Sequence, residues 1–329
     1  MKTFISLLLI FVCDCVWMQH AESQSIKWTA TVKVVDESNR PISNAVVSVG
    51  YYVQSDWQEI KGVTDGSGIF IASHKGSSPA GFRAEKAGYY FTTGEHETIM
   101  FKDDDPNKWN PTVTLILKKK IHPIPMYVNR VDIAHRKRPA FDKPVGFDLT
   151  VGDFVAPYGK GTNAQMFFTW HMDYDTNDIS ATYGRRTSHG WDGKMTISFP
   201  NHGDGIIEFD LPGRLNNRLS EGNVGSELRS SQLVPADGYQ SQLVKTNRWH
   251  FGKLANVNSY DELHKNYFLR VNTVLDEKGN IKSAQYGKIY GDFDQPFTTY
   301  LNPDSNSREI EYDMQHNLGQ GGKNFYIIP

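Results

Sequence analysis

The densest set of potential ligands in the chain is WHMDYDTND, residues 170–178. Asp173, Asp175, Asn177 and Asp178 offer oxygen donors at a spacing like the start of a calcium loop. The match stops there. An EF-hand frame begun at Asp173 wants glycine at position 178 and a bidentate glutamate at 184, and the chain has Asp178 and Gly184. A second account uses strand parity. Trp170 and Met172 continue an apolar face, so His171 and Asp173 point to solvent and Asp175–Asp178 forms a following turn. Both accounts stand at this level, and calcium is the one cofactor the sequence suggests.

A second group, His189, Asp192, His202 and Asp204, brackets KMTISFP. A strand of about six residues would hold its two ends roughly 20 Å apart. The expectation is turn polarity, with Asp204-Gly205 as a hairpin signal, and no shared site. Enzyme signatures are absent. The chain has no Gly-x-Ser-x-Gly elbow, His-Glu-x-x-His, His-x-x-Glu, P-loop or dinucleotide fingerprint. No catalytic residue is assigned. A glycosidase needs only two carboxylates at the right separation, so a carbohydrate-active hydrolase with its site in residues 145–303 stays open as an alternative. Trp57, Trp191 and Trp249 fall in or near expected loops and strand ends. Flat rings there could stack on sugars or on a partner protein, or pack at an edge of the core.

The elements that would position these groups are strands. In IKWTATVKVV, Ile26, Trp28, Ala30, Val32 and Val34 share one face, and Lys27, Thr29, Thr31 and Lys33 share the other. Val113, Leu115 and Leu117 repeat that period of two. Turn signals recur at Asp36–Pro41, Asp65–Gly68 and Lys75–Pro79. NYFLRVNTVLDEKGNIKSAQYGKIYGDF reads as a hairpin turning at Asp276–Asn280. Helical turns are expected only around Asn216–Leu228 and Ser259–His264, where Ser259 and Glu262 form a capping box. Pro123, Pro125, Pro139 and Pro144 mark residues 121–144 as an extended connector, outside any central ladder. The fold class is all-β, with two β-sandwich-like domains at 24–120 and 145–318 and a loose tail at 319–329.

The N-terminus, MKTFISLLLIFVCDCVWMQHAESQ, has the charge, short apolar run and small residues of a secretory signal peptide over 1–23. Both cysteines, Cys13 and Cys15, lie inside it, so the mature chain is expected to carry no thiol and no disulfide. The one Asn-x-Thr, Asn110-Pro111-Thr112, is blocked by proline, which fits a bacterial source. Lys and Arg number 35 against 37 Asp and Glu. That balance, with no basic stripe, argues against nucleic acid as a partner. No later run reaches transmembrane length. The expected location is secreted or periplasmic, at or near the cell surface.

Three ordered elements carry a resemblance. They are VVDESNRPISNAVVSV, with Asp36, Pro41 and Ala45-Val46-Val47; Thr64-Asp65-Gly66-Ser67-Gly68-Ile69-Phe70; and FRAEKAGYY, with Gly88-Tyr89. Together they resemble the carboxypeptidase regulatory-like domain, a transthyretin-type β-sandwich, over residues 27–118. The resemblance implies an accessory, non-catalytic module. Residues 145–329, with PIPMYV, VAPYGKG, GDGI and YGKIYGDF, resemble only uncharacterised exported β-proteins. The resulting expectation is a non-catalytic binding or structural protein that engages polysaccharide or another surface protein, with a calcium-stabilised surface module as a further alternative.

Overall fold

The computed structural model describes residues 26–53, 55–95, 109–133, 138–180, 188–210, 225–250, 265–293, 296–319 and 329. The expected signal segment, the capping box at Ser259 and nearly all of the tail lie outside the described residues. Apart from Trp109, which is helical, every regular element within them is a strand, and among the described residues no helix is long and apolar enough to cross a membrane. The fold is all-β.

The first part contains β1 (Ile26–Val35), β2 (Val46–Val53), β3 (Asp56–Val63), β4 (Ile69–Gly76), β5 (Pro79–Glu85), β6 (Thr92–Glu95) and β7 (Thr112–Ile116). One sheet runs β4-β1-β7, and the facing sheet joins β6-β5-β2-β3. The period of two predicts the buried face of β1: Trp28, Ala30, Val32 and Val34 are fully buried. They pack on Val47, Val49, Phe82 and Ala84 from the other sheet.

The turns obey one rule. Asp65 accepts backbone hydrogen bonds from Ser67 and Ile69 at 2.8 and 2.9 Å, while Gly68 sits at φ +73°. A side chain at Gly68 would also meet the Val34 carbonyl at 2.6 Å. Asp36 and Asp276 do the same, with Asn39 and Gly279 in the left-handed position. In each case one carboxylate replaces backbone partners that a tight turn leaves unpaired. Asp65–Gly68 is therefore the tight turn expected between β3 and β4.

The second part contains β8 (Ile124–Val131), β9 (Val145–Asp148), β10 (Asp153–Phe154), β11 (Met166–Ser180), β12 (Ser188–Ser198), β13 (Gly205–Asp210), β14 (Gly225–Ser226), β15 (Gln242–Trp249), β16 (Lys265–Leu275), β17 (Ile281–Tyr290), β18 (Phe297–Leu301) and β19 (Tyr312–Asn317). A five-stranded sheet, β10-β9-β11-β12-β15, faces a six-stranded one, β13-β16-β17-β18-β8-β19. Between them Phe147, Phe168, Met195 and Ile197 meet Tyr267, Leu269, Ile289 and Phe297. The opposite face of the six-stranded sheet is buried too, with Met126, Val128, Tyr300, Ile310 and Tyr312 in a third cluster.

Several expectations change here. The connector at 121–144 contains β8, which pairs with β18 on one side and β19 on the other. Pro125 is tolerated because it precedes the β18 ladder, and neighbouring backbone atoms, the Ile124 N–H and the Met126 carbonyl, bond to Glu311 and Leu318. Asp204-Gly205 does not close a hairpin. Its turn carries the chain from the five-stranded to the six-stranded sheet, because Asp204 accepts the Thr273 amide at 2.8 Å and so aims β13 at β16. Residues 225–228, expected as part of a helical turn, begin with β14, which pairs with β6 of the first part.

Asp148 organises the loop around VAPYGKG. Its carboxylate accepts from the Thr150 hydroxyl and from the amides of Thr150, Thr162 and Asn163 at 2.5 to 3.1 Å. Those bonds outweigh burial and hold its carboxyl below the usual range. Its contribution is complete above the unfolded value and is lost as pH falls through the folded one. Asp148→Ala should cost on the order of 2–3 kcal/mol in denaturant unfolding near neutral pH, and less in acid.

Lys288 is fully buried, with its Nζ 3.1 Å from Ser230 Oγ and about 5 Å from the rings of Tyr290 and Tyr300. Burial pushes it well below the ordinary lysine value. The unfolded chain therefore binds the extra proton, and stability should rise with pH up to about 10. Lys288→Met keeps the stem. It should raise the melting temperature at neutral pH and flatten that rise; an unchanged pH profile would show that Lys288 is not the group responsible.

Candidate functional site

Toward one end of the five-stranded sheet, burial falls off among the described residues. Along the core-facing side of β11, Trp170 is 5% exposed and Tyr174 62% exposed. The same register row places Trp191 on β12 beside Tyr174 and Trp249 on β15 beside Trp191. Three aromatic residues thus sit side by side on one face. In the next row, Gly193 leaves the space over which the Trp191 ring lies: a Cβ there would be 3.1 Å from the indole and 3.4 Å from Met172 Sδ. Trp249 is 47% exposed.

The opposite face of the same end is charged. His171 Nδ1 lies 2.5 Å from Asp142 Oδ1, and its Nε2 lies 2.9 Å from Asp173 Oδ2. Asp173 faces Asp192 across β11 and β12. Asp192 receives the Arg248 guanidinium and lies 3.2 Å from His250 Nε2. Arg248 and His250 hold the Asp192 carboxyl below its usual range. His250 Nδ1 is 3.0 Å from Asp178 Oδ2. Asp175, Asp178 and His250 bring one ligand atom each within 4.8 Å of one another.

The predicted quartet is thereby divided. Asp175 and Asp178 converge on His250. Asp173 goes to His171, while the Asn177 amide bonds to the Asp175 carboxylate at 3.0 Å. Residues 175–178 are not a terminal turn either. The strand continues to Ser180, with a register break between Asp175 and Ile179 that re-aims Asp178. Of the second group, Asp192 joins the cluster from within β12, whereas Asp204 is spent on the turn described above. His250 escaped notice in the sequence. Its one signal is a repeated dipeptide: Trp170-His171 and Trp249-His250 each set an aromatic ring on one face and an imidazole on the other.

Trp57 lies elsewhere, on the outer face of the first part. It packs edge-on to Tyr52 at 5.0 Å and covers Gly50 and Gly81 in a groove of about 260 Å³ that Arg83 and Glu95 also line. Trp57 is not brought together with Trp191 and Trp249.

Comparison with protein-family models and with curated proteins finds no match. Among solved structures, the chain is similar to BcpA, the major pilin subunit of Bacillus cereus, at 11% identity and a TM-score of 0.21, over 84% of this chain and 96% of that one. A score so low carries no assignment of fold or function.

The two carboxylates flanking His171, Asp142 first and then Asp173, raise its pKa above the ordinary 6.5. Any stability it contributes is therefore complete below the unfolded value and lost as pH rises through the folded one. An NMR titration should place the His171 midpoint above 6.5, and Asp142→Asn should bring it down. A midpoint that does not respond to Asp142→Asn would remove the pairing.

Proposed function

We propose that this chain is an exported binding protein that holds a polysaccharide on the less buried end of its five-stranded sheet. The observation that carries the reading is the aromatic row of Tyr174, Trp191 and Trp249. Adjacent strands lie about 4.8 Å apart, so the row extends for roughly 10 Å. That suits the apolar C–H faces of consecutive sugar rings, and a ring lying along the sheet over Gly193 offers a flat stacking surface. Polar groups beside the row, such as Asn247 in the neighbouring register position, can meet hydroxyls at the sugar edges.

In this reading the first part is an accessory module of the carboxypeptidase regulatory-like kind. Its support is the ordered set of Asp36, Asp65–Phe70 and Gly88-Tyr89 motifs, and a core closed by two small sheets. The proposed location is secreted or periplasmic, in keeping with the signal-like N-terminus.

Affinity electrophoresis through gels containing individual soluble polysaccharides tests the proposal. At least one should retard the chain. Trp191→Ala and Trp249→Ala should each weaken that retardation about tenfold, ~1.4 kcal/mol, with Trp57→Ala neutral. Free migration through a broad polysaccharide panel, or a loss confined to Trp57→Ala, would defeat the reading. Melting curves of the tryptophan variants separate lost binding from lost folding.

A further inference from the structure

The charged face opposite the aromatic row raises a separate question of what lies between its side chains. The His250 side chain is nine-tenths buried, and both of its ring nitrogens face carboxylates, Asp178 on the Nδ1 side and Asp192 on the Nε2 side. A neutral imidazole has one N–H, so it cannot donate to both. On the side that does not receive the N–H, the ring nitrogen turns a lone pair toward a carboxylate, an arrangement that suits a shared cation.

The surroundings distinguish the two sides. Asp192 is anchored by Arg248, which suits it to receive the Nε2 proton and turn the Nδ1 lone pair toward Asp178. Histidine ligands are commonly oriented this way, with the second nitrogen donating to a carboxylate. On the Nδ1 side stand two carboxylates, Asp175 and Asp178, which with the imidazole place three donor atoms within 4.8 Å of one another. The separation of 3.0 Å between Nδ1 and Asp178 Oδ2 is close to the edge, about 3.3 Å, of a tetrahedron with bonds of 2.0–2.1 Å.

Two backbone features hold this space open. The irregularity between Asp175 and Ile179 delivers Asp178 beside His250. Gly190, the register partner of Asp175, lies against the gap: a Cβ there would be 2.1 Å from Asp178 Oδ2 and 2.8 Å from His250 Nδ1. Any side chain at 190 would fill the space between the ligand atoms.

We propose that Asp175, Asp178 and His250 bind a borderline divalent transition-metal ion of the Zn²⁺ type, with Asp192 orienting the histidine. One imidazole and two carboxylates suit such an ion, and three protein ligands leave its fourth position open to water or to a group on a bound molecule. Calcium, which takes six to eight oxygens, is poorly matched by this set.

The test uses the untagged chain, stripped with chelator and then equilibrated with Zn²⁺ or Ca²⁺. Bound metal is counted by elemental analysis, and melting temperature is followed in parallel. One Zn²⁺ per chain and a higher melting temperature are expected, with no shift from calcium. Asp178→Asn, which preserves shape, and His250→Ala should each abolish retention, while Asp192→Asn should weaken it ten- to a hundredfold. His171→Ala, on the neighbouring His–Asp group, should leave retention intact. The proposal is overturned if no zinc is held at about 100 µM free ion, if zinc is held equally by Asp178→Asn, or if calcium alone stabilises the chain.

Discussion

The central strands of the six-stranded sheet, β16, β17 and β18, are buried on both faces along most of their length, and much of the molecule follows from that constraint. A sheet with one wet face can place its charges in water. Here β16, β17 and β18 cannot, so their polar groups must find partners inside. Asp292 takes the Lys245 ammonium at 2.8 Å and the Tyr267 hydroxyl at 2.8 Å, yet burial still pushes its carboxyl upward. Arg270 donates to the carbonyls of Gly203 and Ala236 and lies over the Tyr239 ring. These contacts set register more than they add stability, because desolvation offsets most of what a buried ion pair gains.

The second covering layer also joins the two parts of the chain. Glu311, almost fully buried, accepts the Tyr90 hydroxyl from the first part at 2.9 Å and the amides of Ile121 and His122 from the segment that links them. Nearby, Lys118 donates to the Ser230 carbonyl, and the Glu227 amide to the Phe91 carbonyl. One carboxylate thus serves three backbone or side-chain donors from different stretches. The stretch from 225 to 232 both extends the first part's sheet through β14 and covers the second part's core, which ties the covering layer to the junction.

Strands with one buried face were legible in the sequence because period two survives there, as in Trp28, Ala30, Val32 and Val34. The Asp36, Asp65 and Asp276 turns were legible because a short-range carboxylate and a left-handed residue write their own signature. Residues in β18, FTTYL, are buried without exception and show no alternation, so they gave no strand-face signal. β8 was hidden by Pro125, whose missing donor costs nothing because the β18 ladder begins only at Tyr127. The cluster was half legible. Asp175 and Asp178 stand together in sequence, but His250 arrives from 72 residues away through a strand register that no local pattern encodes.

The fall in burial accounts for why both unusual faces occur at the same end. Within the sandwich, one side of β11 and β12 is committed to the core, and large rings there are consumed by packing, as with Phe168 stacked on Trp170. Toward the less buried end that commitment weakens, while pairing with β15 still holds the backbone in place. Side chains at Tyr174, Trp191 and Trp249 then keep the period of the core-facing strand without a core to enter. On the reverse face, the register break after Asp175 turns Asp178 toward His250. A paired ladder can therefore present exposed rings at Tyr174 and Trp249 on one surface and carboxylate and imidazole side chains on the other, each positioned by strands that are anchored elsewhere.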